Sequence, residues 1–547
     1  MTHVVFNQVP PLTGHNPADD PALLEGLHRD GGGEAEAEVR EVGAMAASEQ
    51  VQAWARQANA HRPVLRTHDR YGHRIDEVEF DPAWHEVMAR AVGYGLHGSA
   101  WADDRPYAHL ARAAKLYVWP TEAGHICPIS MTYASVAALR QSPTLASSYE
   151  PLLVSRSYDF GLRPPLTKSG LIAGMSMTEK QGGSDLRAVT TRAVPQADGS
   201  YLVTGHKWFT SAPMSDIFLL LAQAPGGLSC FLLPRVLPDG TRNRMHLQRL
   251  KDKLGNHSNA SAEVEYAEAT AWLVGEEGRG VSTILQMVNL TRLDCVIGAA
   301  SGMRAGLTQA VHHAAHRRAF GRQLIDQPLM RNVLADLAVE AEAATTLMTR
   351  LAAATDRAKN GDEAEDHFQR LTLAVSKYWL CKRWPAHIAE ALECLGGNGY
   401  VEESGMPMLY REAPVLGIWE GSGNVAALDV LRAMAKQPET VAAFLAEVDK
   451  AAGADRNLDV AADRLRTELG ALLTADDLDL VQAGARRLVE NMALTLQGSL
   501  LVRHGHPAVA DAFCATRLHR DWGSAYGTLP TALDTTPIIE RARLKAI

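Results

Sequence analysis

The feature that most constrains the fold is the residue pattern, which changes from helical to β-rich and back to helical along the chain. Residues 36–174 and 281–436 are rich in Ala, Leu and Arg, with chain breakers separated by helix lengths. Between them, residues 175–280 carry short β-rich runs such as Ile217–Leu221, separated by turn signals such as Asp198-Gly199. This order predicts an α+β protein in which a helical domain, a small antiparallel β domain and a helical bundle follow one another.

Two further segments flank these three domains. Residues 1–35 are rich in Pro, Gly and Asp and are predicted to form an extended arm. Residues 437–547 continue the helical residue pattern after a hydrophilic break, which predicts an added C-terminal helical domain. A chain of 547 residues is too long for a single hydrophobic core, so several domains are expected.

Composition excludes some classes of protein. The net charge of −9 excludes a surface that is basic overall, although a local basic face is compatible with it. The 6 cysteines form no CxxC pair, and their scatter favours reduced thiols in a cytoplasm. We expect a cytoplasmic protein with no membrane partner, because no signal-peptide pattern and no membrane-spanning apolar run is present. His312 and His316 have i,i+4 spacing without a convincing third ligand, so no metal site is predicted.

The first candidate cofactor segment runs from Gly174 to Asp185 and reads Gly-Met-Ser-Met-Thr-Glu-Lys-Gln-Gly-Gly-Ser-Asp. Its hydroxyls and flexible backbone suit a flavin, whose ring edge and pyrophosphate need hydrogen-bond donors. Taken alone, the segment is equally compatible with a turn between domains. About thirty residues later, Gly205–Ser211 offers further hydroxyls beside a Trp-Phe pair, which an ordinary β-strand also accommodates.

Glu420, in the stretch Ile418-Trp-Glu-Gly-Ser-Gly-Asn424, is the candidate catalytic base. Oxidation of a Cα–Cβ bond needs a base on one side of the substrate and a hydride acceptor on the other. A lone Glu before a Gly is more often a solvated turn residue, so this assignment depends on the string around it.

Two more clusters have candidate roles. Arg317-Arg-Ala-Phe-Gly321 offers guanidinium groups, which bind phosphate through a planar fork, but it is also typical of a basic helix end. Cys394-Leu-Gly-Gly-Asn-Gly-Tyr400 is a glycine-rich loop that could equally be a helix cap. No GxGxxG sequence follows a predicted strand, so a classical dinucleotide-binding fold is not supported.

Together these strings resemble the signatures of the acyl-CoA dehydrogenase family over nearly the whole chain. The resemblance implies that family's fold, with an N-terminal helical domain, a central antiparallel β domain and a C-terminal four-helix bundle, followed here by the added helical domain. It implies bound FAD, and an acyl-CoA or related small molecule as a further ligand. It also implies Glu420 as the base, because Thr291 stands where some members carry the base and cannot serve as one.

The resemblance further implies individual site residues. It places Arg292 near the CoA moiety, and it makes the Arg317 cluster reach the adenine end of FAD in a neighbouring subunit. The chain departs from the family's pattern at Pro328 and Glu393, where glutamines are usual. The implied cofactor-binding residues are Met175, Met177, Thr178, Gly183, Ser184, Trp208, Phe209, Thr210, Ser211, Arg317, Phe320, Gly396, Gly397, Gly421, Ser422 and Asn424.

Within the family, the strings look most like those of members of the bacterial alkylation response. This implies a homotetrameric flavoprotein that binds double-stranded DNA through its C-terminal helical domain, with weak acyl-CoA dehydrogenase activity. The extension is not basic overall, since residues 432–547 contain 14 Lys and Arg against 15 Asp and Glu, but residues 480–547 contain 8 against 5. The candidate DNA-binding residues are Arg432, Lys436, Arg517 and Arg520.

Two alternatives remain open from the sequence. The first is a metabolic acyl-CoA dehydrogenase that oxidises a short or branched acyl-CoA at Cα–Cβ, with an extension that only builds the oligomer. The second is a flavin-containing scaffold without turnover. Apart from the resemblance, the basic residues of the extension are typical of solvated helix faces.

Overall fold

The computed structural model of the protein describes residues 2–543. The first residue of the predicted arm and residues 544–547 of the predicted extension therefore lie outside the described residues. The chain forms two compact units, each drawn from separated stretches. The bundle unit comprises Met1–Glu49, Arg105–Pro120 and Arg292–Ile547, and the sheet unit comprises Gln50–Asp104 and Thr121–Thr291.

The secondary structure follows the predicted order of helices, strands and helices. The helices are α1 (Pro21–Arg29), α2 (Glu36–Ala46), α3 (Glu49–Ala60), α4 (Pro82–Gly93), α5 (Ser99–Ala102), α6 (Ala108–Tyr117), α7 (Ile126–Leu139), α8 (Pro143–Leu153), α9 (Gly280–His316), α10 (Pro328–Lys359), α11 (Glu363–Glu393), α12 (Met406–Leu416), α13 (Gly423–Lys436), α14 (Glu439–Asp449), α15 (Arg456–Leu473), α16 (Leu478–His504), α17 (Pro507–Phe513) and α18 (Thr536–Ala542). The strands are β1 (Val64–His68), β2 (Arg74–Glu79), β3 (Ala173–Ser176), β4 (Arg192–Pro195), β5 (Tyr201–Ser211), β6 (Ile217–Ala224), β7 (Gly227–Pro234), β8 (Met245–Leu250), β9 (Ser261–Val274), β10 (Arg318–Ala319) and β11 (Arg322–Gln323).

The sheet unit is organised by a seven-stranded sheet. Strands β6, β4, β5, β9 and β7 are neighbours in that order, and β7 also pairs with β6, so these strands close a ring. Strand β3 pairs with β6, and β8 pairs with β9. The predicted antiparallel pairing is confirmed except at β3–β6 and β4–β6, which are parallel. Parallel neighbours need a long connection, and here the chain passes through further strands between the paired ones.

The interior of the sheet explains the apolar runs in the sequence. Strand β6 is buried from Ile217 to Ala222, and β7 is buried from Ser229 to Pro234. A strand covered on both faces reads as a continuous apolar run instead of an alternating one. Phe218, Phe231 and Val264 lie in the core that these strands share with β9.

The bundle unit is organised by the long helices α9, α10 and α11. Helix α11 begins at a well-defined cap, because the Asp362 carboxylate accepts hydrogen bonds from the backbone of Ala364 and Glu365. Helices α10 and α11 are buried over most of their central turns. The added C-terminal helices pack on them, and the Trp379 indole on α11 donates to the Gln497 side chain on α16 at 3.0 Å.

Two segments differ from the sequence prediction. The predicted arm of residues 1–35 contains helix α1, because Asp20 caps Ala22 and a proline occupies the first turn, while Leu23 and Leu27 are buried. The predicted helical stretch of residues 36–174 contains the antiparallel hairpin β1–β2. Within residues 2–543, no helix combines the length and the apolar character that crossing a membrane requires.

Candidate active site

The first part of the candidate site lies on strand β3 of the sheet unit. The Ser176 hydroxyl lies 2.5 Å from the Thr210 hydroxyl and accepts from the Tyr266 hydroxyl at 3.2 Å, so Ser176 faces the sheet interior. Met175, within β3, lies on the other face, because side chains alternate along a strand. Met175 and Met177, the residue directly after β3, are both half-buried, so both predicted methionines keep part of their surface accessible.

The loop after β3 carries the predicted hydroxyl and glycines. The Thr178 carbonyl accepts from the Trp208 backbone N–H at 2.7 Å, which ties the loop to β5. A Cβ atom at Gly183 would lie 2.3 Å from the Thr178 hydroxyl, so a larger residue does not fit there. Ser184 is exposed. The loop presents open backbone and a hydroxyl around a position that admits only glycine, which fits the donor set of a flavin.

Glu179 is a residue of this loop that the sequence reasoning missed. Its fully buried carboxylate accepts from the Lys207 ammonium at 2.9 Å and from the Thr191 hydroxyl at 2.6 Å. It also accepts from the Thr190 backbone N–H at 2.8 Å. Burial alone would raise the pKa of Glu179, but these donors hold it well below its usual value. The signal for this pair was a lysine, Lys207, directly before the aromatic residues Trp208 and Phe209 in a predicted strand.

Strand β5 places its two predicted cofactor-binding hydroxyls, those of Thr210 and Ser211, in different surroundings. Thr210 is fully buried and its hydroxyl contacts Ser176, so the structure assigns it to the sheet interior. Ser211 is half-buried, with its hydroxyl 3.5 Å from that of Ser261. Ser211 is therefore the better candidate for a hydrogen bond to a flavin.

The two aromatic residues of β5 do not form a single flat wall. The Trp208 and Phe209 rings lie at 83° with centroids 6.5 Å apart, and Phe209 is 52% exposed. The Lys251 ammonium lies 3.2 Å from the centroid of the Trp208 ring. The same ammonium lies 4.8 Å from the centroid of the Phe209 ring, so it contacts both aromatic residues, and Phe209 is the more exposed of the two.

The second part of the candidate site lies in the bundle unit, on the turn between α12 and α13. Glu420 has φ = 57° and Gly421 has φ = 98°, so two successive residues adopt left-handed backbone. A non-glycine residue in this region is strained and is kept only when its surroundings hold it. Ser422 is the N-cap of α13, and Asn424 is exposed in its first turn. The predicted base therefore occupies a strained turn at a helix start.

Arg292 holds this turn, and its predicted place near CoA stays a prediction. Its Nε donates to the Glu420 carbonyl at 3.2 Å, and its Nη1 donates to the Asp429 carboxylate at 2.6 Å. The side chain is 5% exposed, so protein groups occupy the guanidinium. Burial opposes ionisation of Asp429, but Arg292 and Arg370 together hold its pKa below the usual value.

The cluster at the end of α9 forms a small hairpin. Strands β10 and β11 pair through a two-residue turn in which Phe320 (φ = 50°) and Gly321 (φ = 80°) are both left-handed. Phe320 is 98% exposed, and the Arg317 guanidinium donates to the Asn7 carbonyl at 2.6 Å. The Gln327 amide donates to the Ala319 carbonyl at 2.9 Å, so this glutamine holds the hairpin. Of the two predicted residues, Phe320 is therefore exposed at the surface, and Arg317 is held beside it by the N-terminal segment that contains Asn7.

The glycine-rich loop after α11 is open. Gly396 (φ = 59°) and Gly397 are exposed, and a Cβ atom added at either would meet no heavy atom within 4 Å. Glu393, at the position of the usual glutamine, is exposed at the end of α11. The loop thus offers bare backbone to an approaching ligand or subunit.

The four candidate DNA-binding residues fall into two groups. Arg432 and Lys436 are exposed one turn apart on α13, and Arg520 is exposed beside Asn491. Arg517 was predicted wrongly, because its side chain is 1% exposed and forms ion pairs with carboxylates of α10. A buried, paired guanidinium cannot meet a phosphate backbone.

The remaining candidate chemistries are limited. The 6 cysteines are buried thiols, and burial raises the pKa of Cys230 to about 12, which disfavours the thiolate. Over residues 2–543, no group of three His, Cys, Asp or Glu is placed to hold a metal ion. The His312 and His316 rings are tilted by 47° with centroids 4.4 Å apart, and the His312 ring contacts the Pro10 carbonyl.

Three family models match the chain. The model of the adaptive response protein AidB N-terminal domain matches residues 7–160. The acyl-CoA dehydrogenase middle-domain model matches residues 174–269, and the C-terminal-domain model matches residues 278–435. The helices from α14 onward lie beyond these matches.

Individual relatives extend over nearly the full length. The putative acyl-CoA dehydrogenase AidB of Escherichia coli strain K12 is 44% identical over 95% of this chain and 95% of its own. The crystal structure of Caenorhabditis elegans ACDH-11 in complex with C11-CoA has a TM-score of 0.85 at 29% identity, over 95% of this chain and 93% of its own. An acyl-CoA dehydrogenase complexed with FAD from Bacillus anthracis shares the fold, with a TM-score of 0.70 at 15% identity, over 89% of this chain and 86% of its own.

Proposed function

The chain belongs to the acyl-CoA dehydrogenase family, and from this premise we propose that it is an AidB-like flavoprotein of the alkylation response that binds double-stranded DNA. As a family member it is a FAD-dependent oxidoreductase that acts on CH–CH bonds. The finer assignment is supported by the match to the AidB N-terminal model and by the 44% identity to AidB. We further propose a cytoplasmic homotetramer.

We assign Glu420 as the base that takes the α-proton of an acyl-CoA, with low turnover. The proton moves from the substrate Cα to the Glu420 carboxylate as the Cα–Cβ bond becomes a double bond. FAD, when bound, supplies the acceptor for the hydride that leaves Cβ. Arg292 holds the Glu420 carbonyl, so the carboxylate is presented from a fixed backbone.

For the cofactor, we assign the half-exposed face of the sheet unit. Met175, Met177 and Ser211 are half-buried, Ser184 is exposed, and a Cβ atom at Gly182 would meet no heavy atom within 4 Å, so the backbone at that glycine is open. In the bundle unit, the exposed Phe320 hairpin and the Gly396–Gly397 loop are assigned to a neighbouring subunit's FAD. These assignments follow the family resemblance residue by residue.

The observation that carries DNA binding is the exposed pair Arg432 and Lys436. The two side chains are separated by one helical turn on α13, so both cations lie on the same face. Arg520 adds a third exposed cation in the extension. Phosphate contacts need only a local positive field, and a tetramer would supply this pair in several copies.

The test is duplex-DNA binding measured against salt concentration. The double variant Arg432→Glu/Lys436→Glu should reduce the slope of log K against log salt by about 0.9 for each phosphate that it no longer neutralises. The matched comparison is Arg432→Glu alone with Arg244→Glu, because both change the net charge equally and both arginines are surface cations in an ion pair, Arg432 58% exposed beside Asp429 and Arg244 63% exposed beside Glu268. An equal reduction in both variants, or wild-type binding no tighter than that of an unrelated acidic protein, would refute DNA binding.

One observation favours the metabolic alternative. Arg517 of the extension is buried against Asp336 and Glu340 of α10, so part of the extension's positive charge serves to attach it to the bundle. An extension whose role is only structural would not have to bind DNA. Rapid bleaching of the flavin by a short or branched acyl-CoA, together with absent DNA binding, would decide for this alternative.

A further inference from the structure

A buried lysine contacts the turn that carries the proposed base. Lys377 lies on α11 and is 1% exposed, and its ammonium donates to the Gly421 carbonyl. Among the described residues, its hydrogen-bond partner is this main-chain oxygen and no carboxylate. Burying an ammonium is costly unless it is well compensated, so a lysine whose ammonium is directed at one carbonyl calls for a functional explanation.

The turn is held at two successive carbonyls. The Glu420 carbonyl accepts from Arg292 on α9, and the Gly421 carbonyl accepts from Lys377 on α11. Since a carbonyl defines the plane of its peptide, the two contacts fix both peptide planes that follow the Glu420 and Gly421 α-carbons. Rotation of the Glu420–Gly421 plane would change ψ of Glu420, and rotation of the Gly421–Ser422 plane would change ψ of Gly421, so together the two contacts hold the left-handed pair that forms the turn.

The two donors are anchored differently. Asp429, on the helix that follows the turn, accepts from both Arg292 and Arg370, so Arg292 belongs to a network of charges. Lys377 reaches the turn from a separate helix and holds the second peptide plane. Removal of the Lys377 ammonium therefore leaves the Arg292 contact in place and frees the Gly421–Ser422 peptide, the second peptide after the base.

We propose that Lys377 is a positioning residue for Glu420, which holds the Glu420–Gly421 turn in the conformation that presents the carboxylate to an acyl-CoA. The proposal rests on the proposed function, in which Glu420 is the base. Lys377 does not exchange a proton with the substrate. It acts through the Gly421 carbonyl, and an arginine at this position would restore a cationic donor.

The experiment compares Lys377→Met and Lys377→Arg with wild type in the FAD-loaded protein. Anaerobic reduction of the flavin by saturating acyl-CoA should be about a hundred-fold slower in Lys377→Met, the usual scale for a misplaced catalytic group. The acyl-CoA concentration at half-saturation should change little, and Lys377→Arg should recover part of the rate. Lys115→Met is the matched control, because it removes another ammonium, 2% exposed, from the bundle unit.

A second readout does not depend on turnover. Hydrogen exchange followed by mass spectrometry should show faster exchange in peptides spanning residues 415–426 of Lys377→Met, with or without FAD, and no change there in Lys115→Met. Unchanged exchange in this segment would overturn the positioning role. A slower rate that Lys115→Met shares and Lys377→Arg does not recover would also overturn it, because it would reflect general destabilisation.

Glu420→Gln, measured in parallel, separates this inference from the proposed function. If Glu420→Gln still reduces the flavin at the wild-type rate, Glu420 is not the base, and both the proposed chemistry and the positioning role fail. If Glu420→Gln abolishes reduction while Lys377→Met matches wild type in rate and exchange, the proposed chemistry stands and only the positioning role fails.

Discussion

Two glutamates in this molecule are anchored through different groups. Glu179, in the sheet unit, is held by its carboxylate, which Lys207, Thr190 and Thr191 surround with donors. Glu420, in the bundle unit, is held by its main chain, through the carbonyl that Arg292 contacts and the next carbonyl that Lys377 contacts.

The difference shows how a protein separates structural from chemical carboxylates. A carboxylate that several donors surround stays ionised and fixed, so it serves as part of the scaffold. A carboxylate whose backbone is fixed can keep a defined position while its charge changes during a reaction. Glu179 therefore belongs to the framework of the loop after β3, and the fixed turn at Glu420 is compatible with its proposed role as a base.

The largest expected effect is at Glu420. Glu420→Gln keeps the shape and the turn but removes the proton acceptor, so flavin reduction by acyl-CoA should fall by roughly a hundred- to ten-thousand-fold. The flavin content should stay at the wild-type value. Stopped-flow absorbance under anaerobic conditions measures both quantities, and a wild-type rate would break the comparison.

The next effect is at Glu179. Glu179→Gln leaves the buried Lys207 ammonium without its anion, which should lower the free energy of unfolding by about 3–5 kcal/mol and weaken FAD retention. Adding Lys207→Met should recover part of the stability. Glu268→Gln, in a surface pair 63% exposed on both sides, should cost at most about 1 kcal/mol in the same denaturant titration. Equal destabilisation by Glu179→Gln and Glu268→Gln would refute the structural role of Glu179.

The buried carboxylate of Glu340 on α10 is held by charged donors, as that of Glu179 is, and it pairs with Arg517 of the C-terminal extension. Burial opposes ionisation of Glu340, but Arg383 and Arg517 lower its pKa from 4.5 to about 2. A lowered folded-state pKa stabilises the protein above about pH 4.5, and this stabilisation disappears as pH falls toward 2. Its size is on the order of 3 kcal/mol. Glu340→Gln should flatten the stability profile across this window, and an unchanged profile would contradict the assignment.

The smallest effect concerns the hydroxyls of β5. Ser211→Ala should weaken FAD binding about three- to tenfold, which corresponds to the removal of one hydrogen bond. Thr210→Val should leave FAD affinity unchanged and lower stability slightly, because the Thr210 hydroxyl contacts Ser176 inside the sheet. FAD titration of the flavin-free proteins measures the affinity of each variant. Weaker binding by Thr210→Val and unchanged binding by Ser211→Ala would contradict the assignment.

Local sequence was enough to place the elements and the loops. The helix–strand–helix order, the strand at Ile217 and the glycine-rich cofactor loop follow from patterns within ten or twenty residues. The hidden helix α1 could also have been found, since Asp20 followed by a proline is a helix-start signal.

Local sequence patterns could not predict contacts between residues that are distant in the sequence. Arg292 and Lys377 stand 128 and 44 residues from the carbonyls that they hold, and no local spacing links them. Arg517 reads as a surface cation until Asp336, 181 residues away, packs against it. Burial and pairing across the fold decide such roles, and a single sequence does not display them.

The most direct test measures flavin content and the rate of bleaching per bound flavin in Glu420→Gln and Glu179→Gln together, after anaerobic mixing with acyl-CoA. We predict that Glu420→Gln keeps its flavin and does not bleach, while Glu179→Gln holds less flavin but bleaches at the wild-type rate per flavin. Bleaching of Glu420→Gln at the wild-type rate, or a full flavin complement in Glu179→Gln that no longer bleaches, would contradict the division between a structural and a catalytic glutamate.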